Sequence, residues 1–131
     1  MRRLLSILSL VTGLSIVSAA SIAANAQLVQ ISSDPFTNAT SFHQTEVEPD
    51  TFAFGSTIVA TFQVGRFRSG GASDIGWATS KDGGASWTHG SLPGVTIFVD
   101  HSSPYERVSD PSVAYDAKHG VWMISSLPLL P

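Results

Sequence analysis

Eight residues, Ser80-Lys81-Asp82-Gly83-Gly84-Ala85-Ser86-Trp87, constrain the fold of this chain more than any other stretch. Asp82 can turn its carboxylate back onto backbone N–H groups two or more residues on, as Asp does in Asx-turns. Gly83 and Gly84 supply positive φ without a Cβ penalty. Ser80 and Ser86 can bond locally, and Trp87 leaves the turn carrying a large apolar surface to bury. The flanking runs, Ile75–Thr79 and Trp87–His89, both suit strands. The segment reads as a hairpin turn in which Asp82 is a staple rather than a catalyst. An ordinary hairpin built on Asp-Gly-Gly accounts for the same glycines.

The surrounding pattern is β throughout. Thr51–Phe54 is one strand candidate, and Thr57–Val64, rich in β-branched residues, is a stronger one, with Gly55-Ser56 as the tight turn between them. A loop dense in Gly, Ser and Arg is expected from Gly65 to Asp74. Ile75–Ser80 and Trp87–Gly90 then follow as strands, which completes a four-stranded antiparallel meander. Beyond the N-terminal segment, no stretch shows helical apolar periodicity.

That N-terminal segment has its own signature. Arg2 and Arg3 precede an apolar run from Leu4 to about Ala20, and Ala24-Asn25-Ala26 follows. A charged n-region, an apolar h-region and a small-x-small site describe a secretory signal peptide, cleaved after about Ala26. The run also approaches the length of a membrane anchor, but the cleavage site favours export. The mature chain, residues 27–131, is then expected outside the cytoplasm, extracellular or periplasmic, with no membrane association. It contains no Cys, so an oxidising compartment brings no disulfides and packing must supply the stability. A net charge of −3 with 13% charged residues excludes a basic nucleic-acid surface. No cofactor or metal motif stands out, and His43, His89, His101 and His119 lack paired ligand spacing.

Residues 27–46 are polar and read as a leader loop, and an internal echo follows it. Glu48-Pro49 followed by Phe52-Ala53-Phe54 recurs as Asp110-Pro111 followed by Val113-Ala114-Tyr115, with one residue fewer between. Thr57–Phe62 is matched by Val121–Ser125. Similarity at a fixed period marks repeat architectures, and four-stranded units repeated radially make a β-propeller. A β-sandwich whose strands begin with an acidic residue and proline is the competing arrangement. The expected division is a first blade at about 47–91, a connection at 92–108 and the start of a second blade at 109–127. Propellers close with about four to eight blades, so residues 47–131 supply about one and a half. The apolar end, Leu127-Pro128-Leu129-Leu130-Pro131, agrees with an N-terminal fragment of a longer protein.

Taken together, Gly55–Arg66, Asp74-Ile75 and Ser80–Trp87 resemble the first blade of secreted sialidases and the wider family of Asp-box (BNR-repeat) glycosidase-like propellers. The likeness covers roughly Val47 to Leu127. It implies that Ser80, Asp82, Gly84, Ser86 and Trp87 form a structural Asp box on the side away from the ligand. It implies further that the loop between the second and third strands faces the ligand. In that family the loop carries an arginine for a sialic acid carboxylate and an aspartate acting as acid/base. Here Asp74 is the matching catalytic candidate, with Arg66 or Arg68 as the substrate-binding partner. The chemistry agrees, because guanidinium groups bind carboxylates bidentately and a carboxylic acid can protonate a leaving glycosidic oxygen.

The implied function is a sialidase-like glycoside hydrolase acting on terminal bonds of a glycan or glycoconjugate. The alternatives are a non-catalytic propeller that binds glycans or proteins, and a truncated product without independent activity. One departure matters. Sialidases usually open the first blade with Arg-Ile-Pro, whereas this chain has Glu48-Pro49-Asp50, and an acid there repels a sialic acid carboxylate. Asp100-His101-Ser102 contains the letters of a nucleophilic triad, but sequence neighbours need not be geometric partners. Tyr105, Glu106 and Arg107 fall in the connection between blades, which shares the ligand face in propellers and offers them contact with a ligand, although exposed loop residues usually have no such role.

Overall fold

The computed structural model describes residues 28–131. The expected signal peptide and its cleavage site after Ala26 lie outside the described residues. About 55% of the described chain is strand and none of it is helix, so the all-β reading holds. The six strands are β1 (Ser41–Phe54), β2 (Thr57–Phe67), β3 (Ala72–Ser80), β4 (Thr88–Ser91), β5 (Arg107–Asp116) and β6 (Val121–Leu129). They form one open antiparallel sheet in the order β1-β2-β3-β5-β6, with β4 also pairing β3. Strand β4 lies along Gly76–Thr79 of β3, whereas β5 pairs with β3 only through Ala72 and Val108. The sheet is thus a four-stranded meander joined at one corner to a second hairpin.

The centre of the meander is its most apolar part. Val59, Ala60, Phe62 and Val64 of β2 are buried, as are Ile75 and Ala78 of β3. Ala60, Phe62, Val64 and Ala78 make one cluster, against which Ile31, Phe36 and Trp87 pack. Residues 28–40 therefore drape apolar side chains over a sheet face, although their composition is polar. Strand β1 also starts earlier than the sequence pattern predicts, at Ser41, so residues 41–46 of the expected leader loop are strand. Alternation is broken there by left-handed residues at Gln44 (φ 55°) and Glu48 (φ 53°), with register shifts on either side of Glu46-Val47. Bulges of this kind erase the period-2 signal that a strand otherwise leaves in sequence.

The echo between Glu48-Pro49 and Asp110-Pro111 has a common backbone form. Both acidic residues are left-handed, at φ 53° and 50°. Both sit at register shifts, between Val47 and Asp50 in β1 and between Ser109 and Ser112 in β5. Five paired residues follow each bulge, Asp50–Phe54 and Ser112–Asp116. The match needs no gap, so Phe52 corresponds to Ala114 rather than to Val113. The difference between the two units falls in the hairpin turn instead, two residues in one and four in the other.

The units are bonded to each other as well as packed. Asp50 Oδ2 accepts from Ser112 Oγ at 2.9 Å and from the Val113 amide at 2.8 Å. These bonds, the amide first, hold the Asp50 carboxyl below its ordinary value. Phe54 stacks on Tyr115 at 4.4 Å between centroids, Tyr115 on Trp122 at 4.7 Å, and Phe52 meets Trp122 edge-on at 6.1 Å.

Candidate functional site

The two ends of the meander differ in chemistry. At one end the turn between β3 and β4 uses nearly every polar group it has. Ser80 Oγ donates to Asp82 Oδ1 at 2.8 Å and accepts from the Gly84 amide at 2.8 Å. Asp82 Oδ1 accepts from the Ser86 amide at 2.9 Å, and Oδ2 accepts from Ser86 Oγ at 2.5 Å. Trp87 Nε1 donates to the Gly84 carbonyl at 3.0 Å, and the Gly83 amide donates to Ser56 in the neighbouring turn. Gly83 (φ 73°) and Gly84 (φ 96°) occupy the left-handed region. The Ser86 bonds, side chain first, pull the Asp82 carboxyl down to about 2. Asp82 is a staple of this turn.

At the other end, the loop expected over Gly65–Asp74 is mostly strand. Only Arg68–Gly71 remains as a turn, closed by the Phe67 amide on the Gly71 carbonyl at 2.8 Å and the Gly70 amide on the Phe67 carbonyl at 3.2 Å. Gly70 (φ 99°) and Gly71 (φ 73°) permit the reversal. A side chain at Gly71 would also crowd the Val108 carbonyl, its Cβ standing 3.2 Å away. The glycines and serines that suggested a long loop instead make a short turn, against which β5 can approach closely.

Three guanidinium groups gather toward this end. Arg66 lies 4.0 Å from Glu48 Oε1, with both side chains partly exposed. Arg68 stands over the Phe42 ring at 5.1 Å. Arg107, at the start of β5, donates from Nη1 to Ser69 Oγ at 2.8 Å and to the Gly70 carbonyl at 3.3 Å, and it lies over Phe67 at 5.8 Å. A groove of about 430 Å³ opens between these elements, bordered by Thr40, Phe67, Arg68, Ser69, Glu106 and Arg107. The sequence places Arg107 in the connection between blades, on the ligand face of a propeller, without giving it a role. Its place in the groove depends on β5 folding back onto the β2–β3 turn, which no local pattern encodes.

Asp74 has a different setting. It pairs with Val64 in register and alternates with Gly76 and Ala78 along β3. It is fully buried, and neither carboxyl oxygen has a hydrogen-bond partner. Desolvation pushes its pKa up to about 7, opposed weakly by the nearby Ile75 amide, which stands outside hydrogen-bonding geometry. No ion pair joins it to Arg66 or Arg68. The three candidates are thus not joined by ion pairs: Arg66 is partly exposed and Arg68 exposed, while Asp74 is buried.

Gln63 is fully buried, and its Nε2 donates to Glu48 Oε2 and, at 3.4 Å, to Ser109 Oγ. One bulged opening is thereby tied to the other. Asp100 Oδ1 accepts from the Ser102 amide at 2.9 Å and from Ser102 Oγ at 2.7 Å, which makes the Asp100-His101-Ser102 run a local turn. His119 Nδ1 meets Asp116 Oδ2 at 2.5 Å within the β5–β6 turn. No protein-family model, curated protein or solved structure matches this chain.

Proposed function

We propose that this chain is part of a sialidase-like Asp-box propeller that binds terminal acidic glycans at the arginine-bearing end of its sheet. One observation carries the reading: Arg68 and Arg107 border an open groove at the end of the sheet where Arg66 also lies, and among the described residues neither of the two is in an ion pair. Guanidinium groups on a partly apolar floor suit a planar carboxylate, and Thr40 and Glu106 can accept hydrogen bonds from sugar hydroxyls. The stapled Ser80–Trp87 turn and the repeated bulged openings support the propeller assignment. Export through residues 1–26 belongs to the same reading, and an exported product that begins at Gln27 is its check.

Binding to a glycan array tests this function. Glycans ending in a sialic or uronic acid should be retained over neutral ones. Replacing Arg66 and Arg68 together by Ala should weaken retention by about tenfold or more, since charge-assisted bonds are about twice as strong as neutral ones. Equal retention of neutral and acidic glycans, or none at all, refutes it.

Asp74 favours a second reading, hydrolysis of the bound glycan. A carboxyl titrating at about 7 is protonated often enough near neutrality to act as a general acid. Contact with a glycosidic oxygen requires the covering side chains to move, because Asp74 is sealed from solvent. Fluorophore release from an aryl sialoside, abolished by Asp74→Asn with glycan retention intact, is the expected result for an enzyme. Retention without turnover leaves a binding module.

A further inference from the structure

We infer that residues 28–40 form a lid, a strap that seals Asp74 and lifts from the sheet without unfolding it. Asp74 lies opposite Val64 in register, and alternation puts it on the sheet face that carries Ala60, Phe62, Val64 and Ala78. Ile31 and Phe36 of the strap pack on that face, together with Trp87. Trp87 leaves the stapled turn beside the Thr79–Thr88 pair, at the end of β3 away from Asp74. The cover nearer Asp74 therefore belongs to the strap. Phe36 meets Phe98 of the connection edge-on at 6.2 Å, and Phe98 lies 6.1 Å from Phe67, which borders the groove.

Side chains hold the strap in place, not a strand ladder. Among the described residues its backbone makes one bond to other backbone, from the Ser41 amide to the Asn38 carbonyl at 3.4 Å. Its main fastening is the buried Asp34 carboxylate, which accepts from the Phe36 amide at 2.9 Å and from the Gln44 amide of β1 at 2.8 Å. The His43 ring bridges Asp34 Oδ2, 3.4 Å from Nδ1, and the Asn38 carbonyl, 2.9 Å from Nε2. Asn38 Oδ1 accepts from Ser73 Oγ at 3.0 Å. Segments with few backbone hydrogen bonds open at lower free energy than the strands they cover. Ala39 and Thr40, at the end of the strap, border the groove, so a ligand there touches the lid. The inference stands on packing and deepens the hydrolysis reading, on which it rests only for the purpose of opening.

Amide hydrogen exchange on the wild-type chain tests the opening and depends on no variant that folds. The Gln44 amide, whose acceptor belongs to the strap, should exchange about a hundredfold or more faster than the amides of β2. Exchange at the β2 rate would make the strap part of the cooperative core and overturn the lid. The seal is read from the ¹³Cγ resonance of Asp74, which should titrate at about 7 in wild type and move toward the ordinary 3.8 in Phe36→Ala. Phe36→Leu keeps an apolar cover and should stay near the wild-type midpoint. A midpoint that Phe36→Ala leaves in place overturns the seal. Neither readout involves a glycan, so an aryl sialoside left intact by the wild-type chain counts against hydrolysis alone.

Discussion

The two ends of the meander treat their carboxylates in opposite ways. In the β3–β4 turn, the Asp82 carboxylate accepts from two serines and an amide, and it sits far below its ordinary pKa while exposed. At the opposite end of β3, Asp74 has no partner, is buried and is raised to about 7. The arginines beside it are anchored by few protein groups. Polar groups satisfied within their own turn hold structure, whereas a buried group left unpaired lowers stability. The proposed binding site lies at the arginine end.

The largest expected effect tests the unpaired end. Asp74 has an ordinary value of 3.8 and a folded value of about 7. Between these pH values the unfolded chain ionises while the native chain keeps its proton, so native stability falls as pH rises. The loss should total about 4 kcal/mol by pH 8, from the linkage between pKa and stability. Urea unfolding at a series of pH values measures it. Asp74→Asn should flatten the profile and be the more stable protein above pH 7, and a wild-type profile already flat over that range contradicts the buried, unpaired carboxyl.

Next comes the core that separates the two ends. A methyl at Gly76 would overlap the Phe62 ring and stand 2.7 Å from Val64 Cγ2. Overpacking of a filled interior costs about 1–3 kcal/mol, so Gly76→Ala should lower the unfolding midpoint clearly. A midpoint equal to that of wild type would mean the core has room.

The stapled end should respond locally. Asp82 is depressed to about 2, so its contribution is complete above about pH 4 and is lost as pH falls through 2. The Ser86 amide resonance should follow that titration. Asp82→Ala should speed amide exchange at Gly84 and Ser86 while the β2 amides keep their protection. Uniform loss of protection would make the turn a global rather than a local support.

Arg66→Ala should have the smallest effect on stability. Its ion pair with Glu48 is long and partly exposed, and such pairs contribute about 0–1 kcal/mol. Unfolding should therefore be nearly unchanged while retention of acidic glycans weakens. A large loss of stability would turn Arg66 from a binding group into a structural one.

Much of the fold is readable locally. The β-branched run of β2, the Gly55-Ser56 turn and the Asp82 staple all announce themselves within a few residues, because turn chemistry and period-2 burial act at short range. The early part of β1 is hidden, since left-handed Gln44 and Glu48 interrupt its alternation. The Gly65–Asp74 stretch misleads for a related reason. Its glycines serve a four-residue turn and a close approach to Val108, and composition does not distinguish these from a long loop.

The sequence by itself determined that this chain is all-β, that Ser80–Trp87 reverses it, and that Glu48-Pro49 and Asp110-Pro111 open related units. Each depends on residues within a few positions of one another. Only the tertiary structure decided that Asp74 is buried with no ion pair to Arg66 or Arg68, and that Arg107 borders the groove. Which face a strand residue covers, and which distant hairpin folds over it, depend on how the units pack, and no run of neighbouring residues records that.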